Sequence, residues 1–259
     1  MRNLSALAME ARITALKMVH KAKAAHIGSS LSVIDILIAS YEFQSKNEGS
    51  EVILSKGHAA AGLYAVLNAF GWVPDEWVES YCENGSRLGG HATKAGIPGV
   101  VFSTGSLGHA LPFAVGVSLR KQRRNQKGQS IVVLSDGECD EGSNWEAALL
   151  AGHLNLSNII VVIDRNRLQS FTDTEQTVRL EPLDSKWKSF GWDVVQVNGH
   201  ELTELVQALD AEPRVGPKVV IANTVKGKGV SFMEGDNLWH YKPPNPEELS
   251  LALSELETK

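Results

Sequence analysis

The feature that most restricts what this chain can fold into is a strand–helix–strand unit whose two strands both stop at oxygen-bearing side chains. Ser130–Leu134 is apolar and runs into Ser135-Asp136-Gly137-Glu138. Asn158–Ile163 is a second apolar run and ends in Asp164-Arg165-Asn166. Between them, Ser143–Leu154 carries apolar residues at helical spacing. A helical crossover between two short apolar strands makes them parallel neighbours. Asp136 and the Asp164/Asn166 turn then meet at the carboxyl edge of a sheet, where open α/β folds bind ligands. A carboxylate, an amide oxygen and a nearby backbone carbonyl, best supplied by Leu168, are hard oxygen ligands suited to Mg²⁺ holding phosphates. Read singly, Asp136 could end its strand in an Asx turn and Asn166 could cap one. Their placement in one unit favours the shared site.

Helices and strands alternate through the rest of the chain. The spacing predicts helices over Leu4–Val19, Ser32–Ser40, Ala59–Phe70, His109–Leu119, Pro182–Phe190 and Leu202–Leu209. Asn245 opens a last helix, with Pro246 as its first residue and Glu248 placed to close a capping box. Further strands fall at Val52–Leu54, Trp192–Val197 and Lys218–Ala222. This order predicts an α/β fold, a doubly wound, mostly parallel sheet with helices on both faces, in one domain over residues 1–259. His26-Ile27-Gly28-Ser29-Ser30 reads as a small-residue turn, and Ser143 with Glu146 as a second capping box. Arg87–Gly108 is too glycine-rich for a helix and long enough to be a functional loop. Its end, Thr104–Gly108, precedes a helix, where free amides favour phosphate. The basic run Arg120–Lys127 reads as a solvated helix end.

Composition mainly excludes. A formal charge of -5 argues against broad nucleic-acid wrapping. Two cysteines, Cys82 and Cys139, are too few for a disulfide scaffold and fit a reducing cytoplasm. No apolar run has secretory or membrane-spanning length, so neither a signal peptide nor a membrane span is expected. Histidine carries more information. His26, His58, His91 and His240 lie in turns or at element ends, and if they converge above a phosphate-binding edge they can bind a sugar phosphate and move protons. The alternative is four unrelated local hydrogen bonds. His20, His109, His153 and His200 read as structural, and Glu141 could either line the site or face solvent.

Asp136-Gly137-Glu138-Cys139-Asp140-Glu141-Gly142, Trp145-Glu146-Ala147-Ala148 and Asp164-Arg165-Asn166 together resemble transketolase, in its diphosphate-binding amino-terminal half or the matching subunit of a split enzyme. His26, Ser55-Lys56-Gly57-His58, Gly90-His91 and Thr104–Gly108 follow the same order, and the resemblance covers nearly the whole chain. Ser135 stands where that family often has glycine. The resemblance implies a thiamine diphosphate-binding fold with Mg²⁺, or Ca²⁺ or Mn²⁺ in its place, held by Asp136, Asn166 and the Leu168 carbonyl. It implies cofactor contacts from His58, Gly105, Ser106, Leu107, Gly108, Asp136, Gly137, Glu138, Glu141 and Asn166. His26, His58, His91, His240 and Glu141 would bind sugar or move protons, and Glu146 would continue a proton network at an interface.

The activity implied is transfer of a two-carbon ketol unit from a ketose, phosphorylated in the expected case, to an aldose. The partner implied is a carboxyl-terminal subunit carrying the pyrimidine-binding domain, in an α₂β₂ heterotetramer. The alternatives are one component of a carboligase like deoxyxylulose-phosphate synthase, or a cofactor-binding regulatory protein that catalyses nothing. Gly105-Ser106-Leu107-Gly108 is not a dinucleotide fingerprint, which disfavours an oxidoreductase.

Overall fold

Strands that read as unbroken apolar runs need cover on both faces, and the chain supplies it from helices of two separate groups. The computed structural model describes residues 2–258. In order, these form α1 (Leu4–Ala22), α2 (Ile27–Lys46), β1 (Glu51–Leu54), α3 (Ala60–Ala69), α4 (Asp75–Glu79) and α5 (Ala110–Arg123). Then come β2 (Ser130–Ser135), α6 (Gly142–His153), β3 (Ile159–Arg165), α7 (Thr174–Thr177) and α8 (Leu183–Ser189). The chain closes with β4 (Asp193–Asn198), α9 (Leu202–Asp210), β5 (Lys218–Asn223) and α10 (Pro246–Glu257). The five strands pair in parallel throughout, in the order β1-β2-β3-β5-β4.

Alternation along the strands sorts the core into two layers. Ile131, Val133, Ile160, Val162 and Val220 pack on the side of α1, α2, α3, α9 and α10. Val132, Leu134, Val161, Ile163 and Ile221 pack on the side of α5, α6 and α8. β2 and β3 are buried over their full lengths, whereas edge strand β4 is largely half-buried. Among the described residues, no helix is long and apolar enough to cross a membrane.

Three local expectations need correction. The small-residue turn at His26–Ser30 is the first turn of α2, which is buried from Ile27 to Phe43. A helix inside the core has no polar face, so its spacing marks only part of it. Its small residues admit a neighbour: a Cβ built on Gly62 of α3 would lie 2.7 Å from the Ser30 carbonyl oxygen. Second, the Ser143/Glu146 capping box does not form. The N-cap of α6 is Glu141, without a side-chain cap, and the Ser143 hydroxyl donates to the Gly108 carbonyl at 2.7 Å. Third, Lys121 in the basic run is buried, donating to Glu51 Oε1 at 2.7 Å and to the Gly49 carbonyl at 2.8 Å.

The capping box at α10 does form. Asn245 Oδ1 accepts from the Glu248 amide at 2.8 Å, and Glu248 Oε2 accepts from the Asn245 amide at 2.8 Å. Asn245→Ala is expected to lower stability by about 1 kcal/mol in urea denaturation. A midpoint equal to the parent's would show that packing of Ala252 and Leu256 alone holds the helix.

Candidate active site at the carboxyl edge of the sheet

The site begins with register. Ser135 pairs with Asp164, so β2 and β3 end almost level, and the next residues turn over the edge together. The Asp136 carboxylate is 1% exposed. Its Oδ1 accepts from the Gly137 amide at 2.8 Å, and its Oδ2 accepts from the Arg167 amide at 2.6 Å and from Arg165 Nη1 at 3.2 Å. Asn166 Oδ1 accepts from the Leu168 amide at 3.0 Å, which folds the turn after β3. Asp136, Asn166 and Leu168 line one cavity of about 200 Å³, with Gly105, Leu107 and Gly137 on the same wall and His26, His58 and His240 facing them.

Electrostatics distinguish the two neighbouring aspartates. Burial, reinforced by Asp164, raises Asp136 to about 6, against the lowering effect of Arg165 and two amides. A carboxylate held so reluctantly in its charged form gains most from a cation beside it. Asp164 is buried too, but its oxygens accept from Lys56 Nζ at 2.6 Å, from Ser32 Oγ at 2.6 Å and from the Thr224 hydroxyl. Burial alone would raise its pKa, yet the Lys56 charge and these hydrogen bonds hold it below the usual carboxylate value. Asp164 is thus neutralised inside the protein.

The glycine loop is shaped by what stands behind it. Gly108 has φ +80°, and a Cβ there would lie 2.6 Å from Ser143 Oγ and 2.7 Å from Glu141 Cβ. Its amide donates to Glu138 Oε1 at 2.9 Å. That carboxylate also accepts from the Ser55 hydroxyl and from the Ser135 amide at 3.3 Å. The sequence reading places Glu138 among the cofactor contacts. Its side chain is instead fully buried behind the cavity wall, bonded to Ser55, Ser135 and Gly108. Ser106, Glu141 and Glu146 are exposed and do not line the cavity.

The four histidines converge. The His26 ring centroid lies 5.3 Å from that of His58, 5.9 Å from His91 and 4.9 Å from His240, and His58 lies 5.7 Å from His240. His26 precedes α2 in the left-handed region, φ 72°, and its amide donates to the His240 carbonyl at 2.8 Å. An uncommon backbone state for a non-glycine residue persists where surrounding structure imposes it. His91 is exposed, and a Cβ on Gly105 would lie 3.6 Å from its Cδ2. Burial, then His91 and the ammonium groups of Lys226 and Lys56, lower His26 to about 4. Burial and Lys226 lower His240 to about 3, and burial and Lys56 take His58 well below the usual value. These three rings are neutral at physiological pH, each offering one donor and one acceptor.

Two lysines escape a search for oxygen ligands and histidines. Lys56, next to His58, is wholly buried on Asp164. Lys226 is 1% exposed, and its Nζ lies 3.1 Å from the Gln169 carbonyl, 3.0 Å from Asn237 Oδ1 and 3.2 Å from His240 Nδ1. Burial and the charge of Lys56 lower it to about 8. Both follow strand ends, β1 and β5, which is the signal that picks out Asp136 and Asn166. Of the remaining histidines, His20 Nδ1 lies 2.7 Å from the Pro244 carbonyl and His109 Nδ1 3.0 Å from that of Leu107.

The residues present fit a hard cation carrying phosphate. Among the described residues, no group of three histidine, cysteine or carboxylate side chains is arranged to hold a metal. A set of one carboxylate, one amide oxygen and one carbonyl leaves coordination positions for water and phosphate oxygens, as Mg²⁺ prefers.

A parallel sheet with this cluster at its carboxyl edge defines an open α/β domain built to hold an anionic ligand there. The family described as "Transketolase, thiamine diphosphate binding domain" matches residues 4–256. One of the two subunits of apulose-4-phosphate transketolase from Actinobacillus succinogenes is 41% identical over 241 residues, covering 90% of this chain and 87% of that protein. A 6-deoxy-6-sulfo-D-fructose transketolase subunit from a Clostridium species is 35% identical over 252 residues, covering 93% and 92%. The crystal structure of transketolase from Campylobacter jejuni superposes with TM-score 0.89 at 27% identity, covering 99% of this chain and 43% of that one. The chain therefore spans about two fifths of that solved transketolase. This chain belongs to the transketolase thiamine diphosphate-binding domain family. The chemistry typical of that family is two-carbon transfer dependent on thiamine diphosphate.

Proposed function

We propose that this chain is the diphosphate-binding subunit of a split transketolase, moving a two-carbon ketol unit from a phosphorylated ketose to an aldose. The observation that carries this reading is the convergence of His26, His58, His91 and His240 beside the cavity lined by Asp136, Asn166 and Leu168. Two relatives matched over most of their lengths are named as transketolase subunits, which supports a companion carrying the pyrimidine-binding domain. An α₂β₂ assembly is the arrangement this reading expects, and a phosphorylated donor accords with the sugar phosphate in the name of the Actinobacillus relative.

Thiamine diphosphate, when bound, supplies the cleavage and formation of the carbon–carbon bond. The residues of this chain bind and orient. Asp136, Asn166 and the Leu168 carbonyl hold Mg²⁺, with Ca²⁺ or Mn²⁺ as substitutes, and Gly105–Gly108 with Gly137 let backbone approach the diphosphate. Lys226 adds positive charge between the metal-side loop and His240. His26, His58 and His240 are uncharged and take sugar hydroxyls as donors or acceptors, while exposed His91 hands protons to and from the sugar. Glu141 and Glu146, on the exposed start of α6, serve the proton network at the partner interface.

Two measurements test this. Co-purification with a candidate companion should give an assembly that transfers two carbons between ketose and aldose phosphates, whereas the chain alone is inactive. A stable assembly that binds cofactor yet transfers nothing would favour a regulatory role. In the active assembly, His91→Ala is expected to lower kcat/KM roughly tenfold, the worth of one hydrogen bond to substrate. Thiamine diphosphate affinity should stay within about twofold, since the ring touches the sugar side of the site. Parent-like turnover would remove His91 from the mechanism.

A further inference from the structure

Lys226 enters the cavity from the segment after β5, and that segment is gripped from behind by three side chains outside the site. His200, just past β4, has Nδ1 2.8 Å from Asp35 Oδ2. Its Nε2 accepts the amide of Val225, the residue before the lysine, at 2.8 Å. An imidazole can accept at Nε2 only when neutral with its proton on Nδ1, and Asp35 selects that tautomer. The same carboxylate oxygen accepts from Arg12 Nη2 at 2.5 Å. Arg12 Nε in turn donates to the carbonyl of Lys228, two residues past the lysine, at 3.3 Å. One buried carboxylate therefore fixes two groups that hold the backbone on either side of Lys226. The lysine stem is confined as well. The Gly227 amide donates to the Gly28 carbonyl at 3.0 Å, and a Cβ on Gly28 would lie 3.3 Å from Lys226 Cγ.

We propose that Asp35, with His200 and Arg12, is a positioning cluster that sets the reach of the Lys226 ammonium toward an anionic ligand in the cavity. None of the three side chains lines the cavity. The inference rests on the reading that this cavity takes a diphosphate. A cluster that merely braced α1 and α2 against the sheet would weaken folding without singling out Lys226. A positioning cluster couples to that residue specifically.

The test is a double-mutant cycle on the assembly with its companion subunit, read by calorimetric titration with thiamine diphosphate and, separately, inorganic pyrophosphate, both at saturating Mg²⁺. His200→Phe keeps a ring and removes the acceptor. It is expected to raise Kd about tenfold, the loss of one charged contact's alignment. His200→Gln, which can still accept from Val225, should recover most of that. In a Lys226→Met background, His200→Phe should change Kd by less than about twofold. The proposal is overturned if His200→Phe binds as the parent does, if Gln and Phe are equally impaired, or if the two losses multiply in the double variant. Should the parent bind pyrophosphate but not thiamine diphosphate, the cofactor reading fails, while the cycle read on pyrophosphate still decides the positioning.

Discussion

Asp136→Ala is expected to weaken Mg²⁺-dependent thiamine diphosphate binding by about 100-fold or more while the chain stays folded. Loss of outer-shell partners alone costs ~10–100-fold in metal affinity, and here the only charged group of the ligand set disappears. The fold should tolerate the change for an electrostatic reason. Asp136 is pushed up to about 6 by burial and by the nearby Asp164, so its charge opposes folding at neutral pH and removal relieves that. Arg165 keeps partners, with Nη2 3.0 Å from Glu175 and 2.9 Å from Glu181. The sign with pH follows. Cofactor binding by the parent should weaken as pH falls through about 6 and the carboxyl takes up its proton, and the variant should lose that step. Calorimetry at several pH values checks both, and unchanged binding at pH 7 would dismiss the metal assignment.

Lys56→Met carries the largest expected cost in stability, about 3–5 kcal/mol, because it strands a buried charge. Lys56 and Asp164 are each fully buried and 2.6 Å apart, and only the hydroxyls of Ser32 and Thr224 would remain on the carboxylate. In the parent, Asp164 lies below the usual carboxylate value, so it contributes stability above the unfolded pKa and loses it as pH falls through the folded one. In the variant, uncompensated burial acts alone and raises the group, so the deficit against the parent should shrink on acidification. Urea denaturation at pH 7 and pH 5 measures it. A deficit under about 1 kcal/mol would mean that two hydroxyls suffice to hold the charge.

Much of this is legible in the residues alone. Asp136 and Asn166 can be brought together on paper because a parallel crossover leaves two strands few ways to end, and apolar runs flanking a helical stretch mark such a crossover. The convergence of His26, His58, His91 and His240 is visible there only as one of two alternatives, since the spacing of four residues spread from 26 to 240 carries no distance. Other features are hidden for definite reasons. The first turn of α2 is made of small residues because α3 lies against it, a tertiary demand with no local signature. Ser143 has the right neighbour for a capping box, but the Gly108 carbonyl competes for its hydroxyl. Lys56 and Lys226 look like solvent-facing side chains until the strand ends beside them are known to be buried.

The shared charge at the sheet edge has a consequence for assembly of the loaded site. Lys56 is spent on Asp164, and Asp136 leans on Arg165. A divalent ion arriving alone finds one carboxylate and two uncharged oxygens; a polyphosphate arriving alone meets the repulsion of that same carboxylate. Each completes the surroundings the other requires, so titrating either in the presence of the other should move both isotherms to lower concentration by the same factor, as reciprocity between linked equilibria demands.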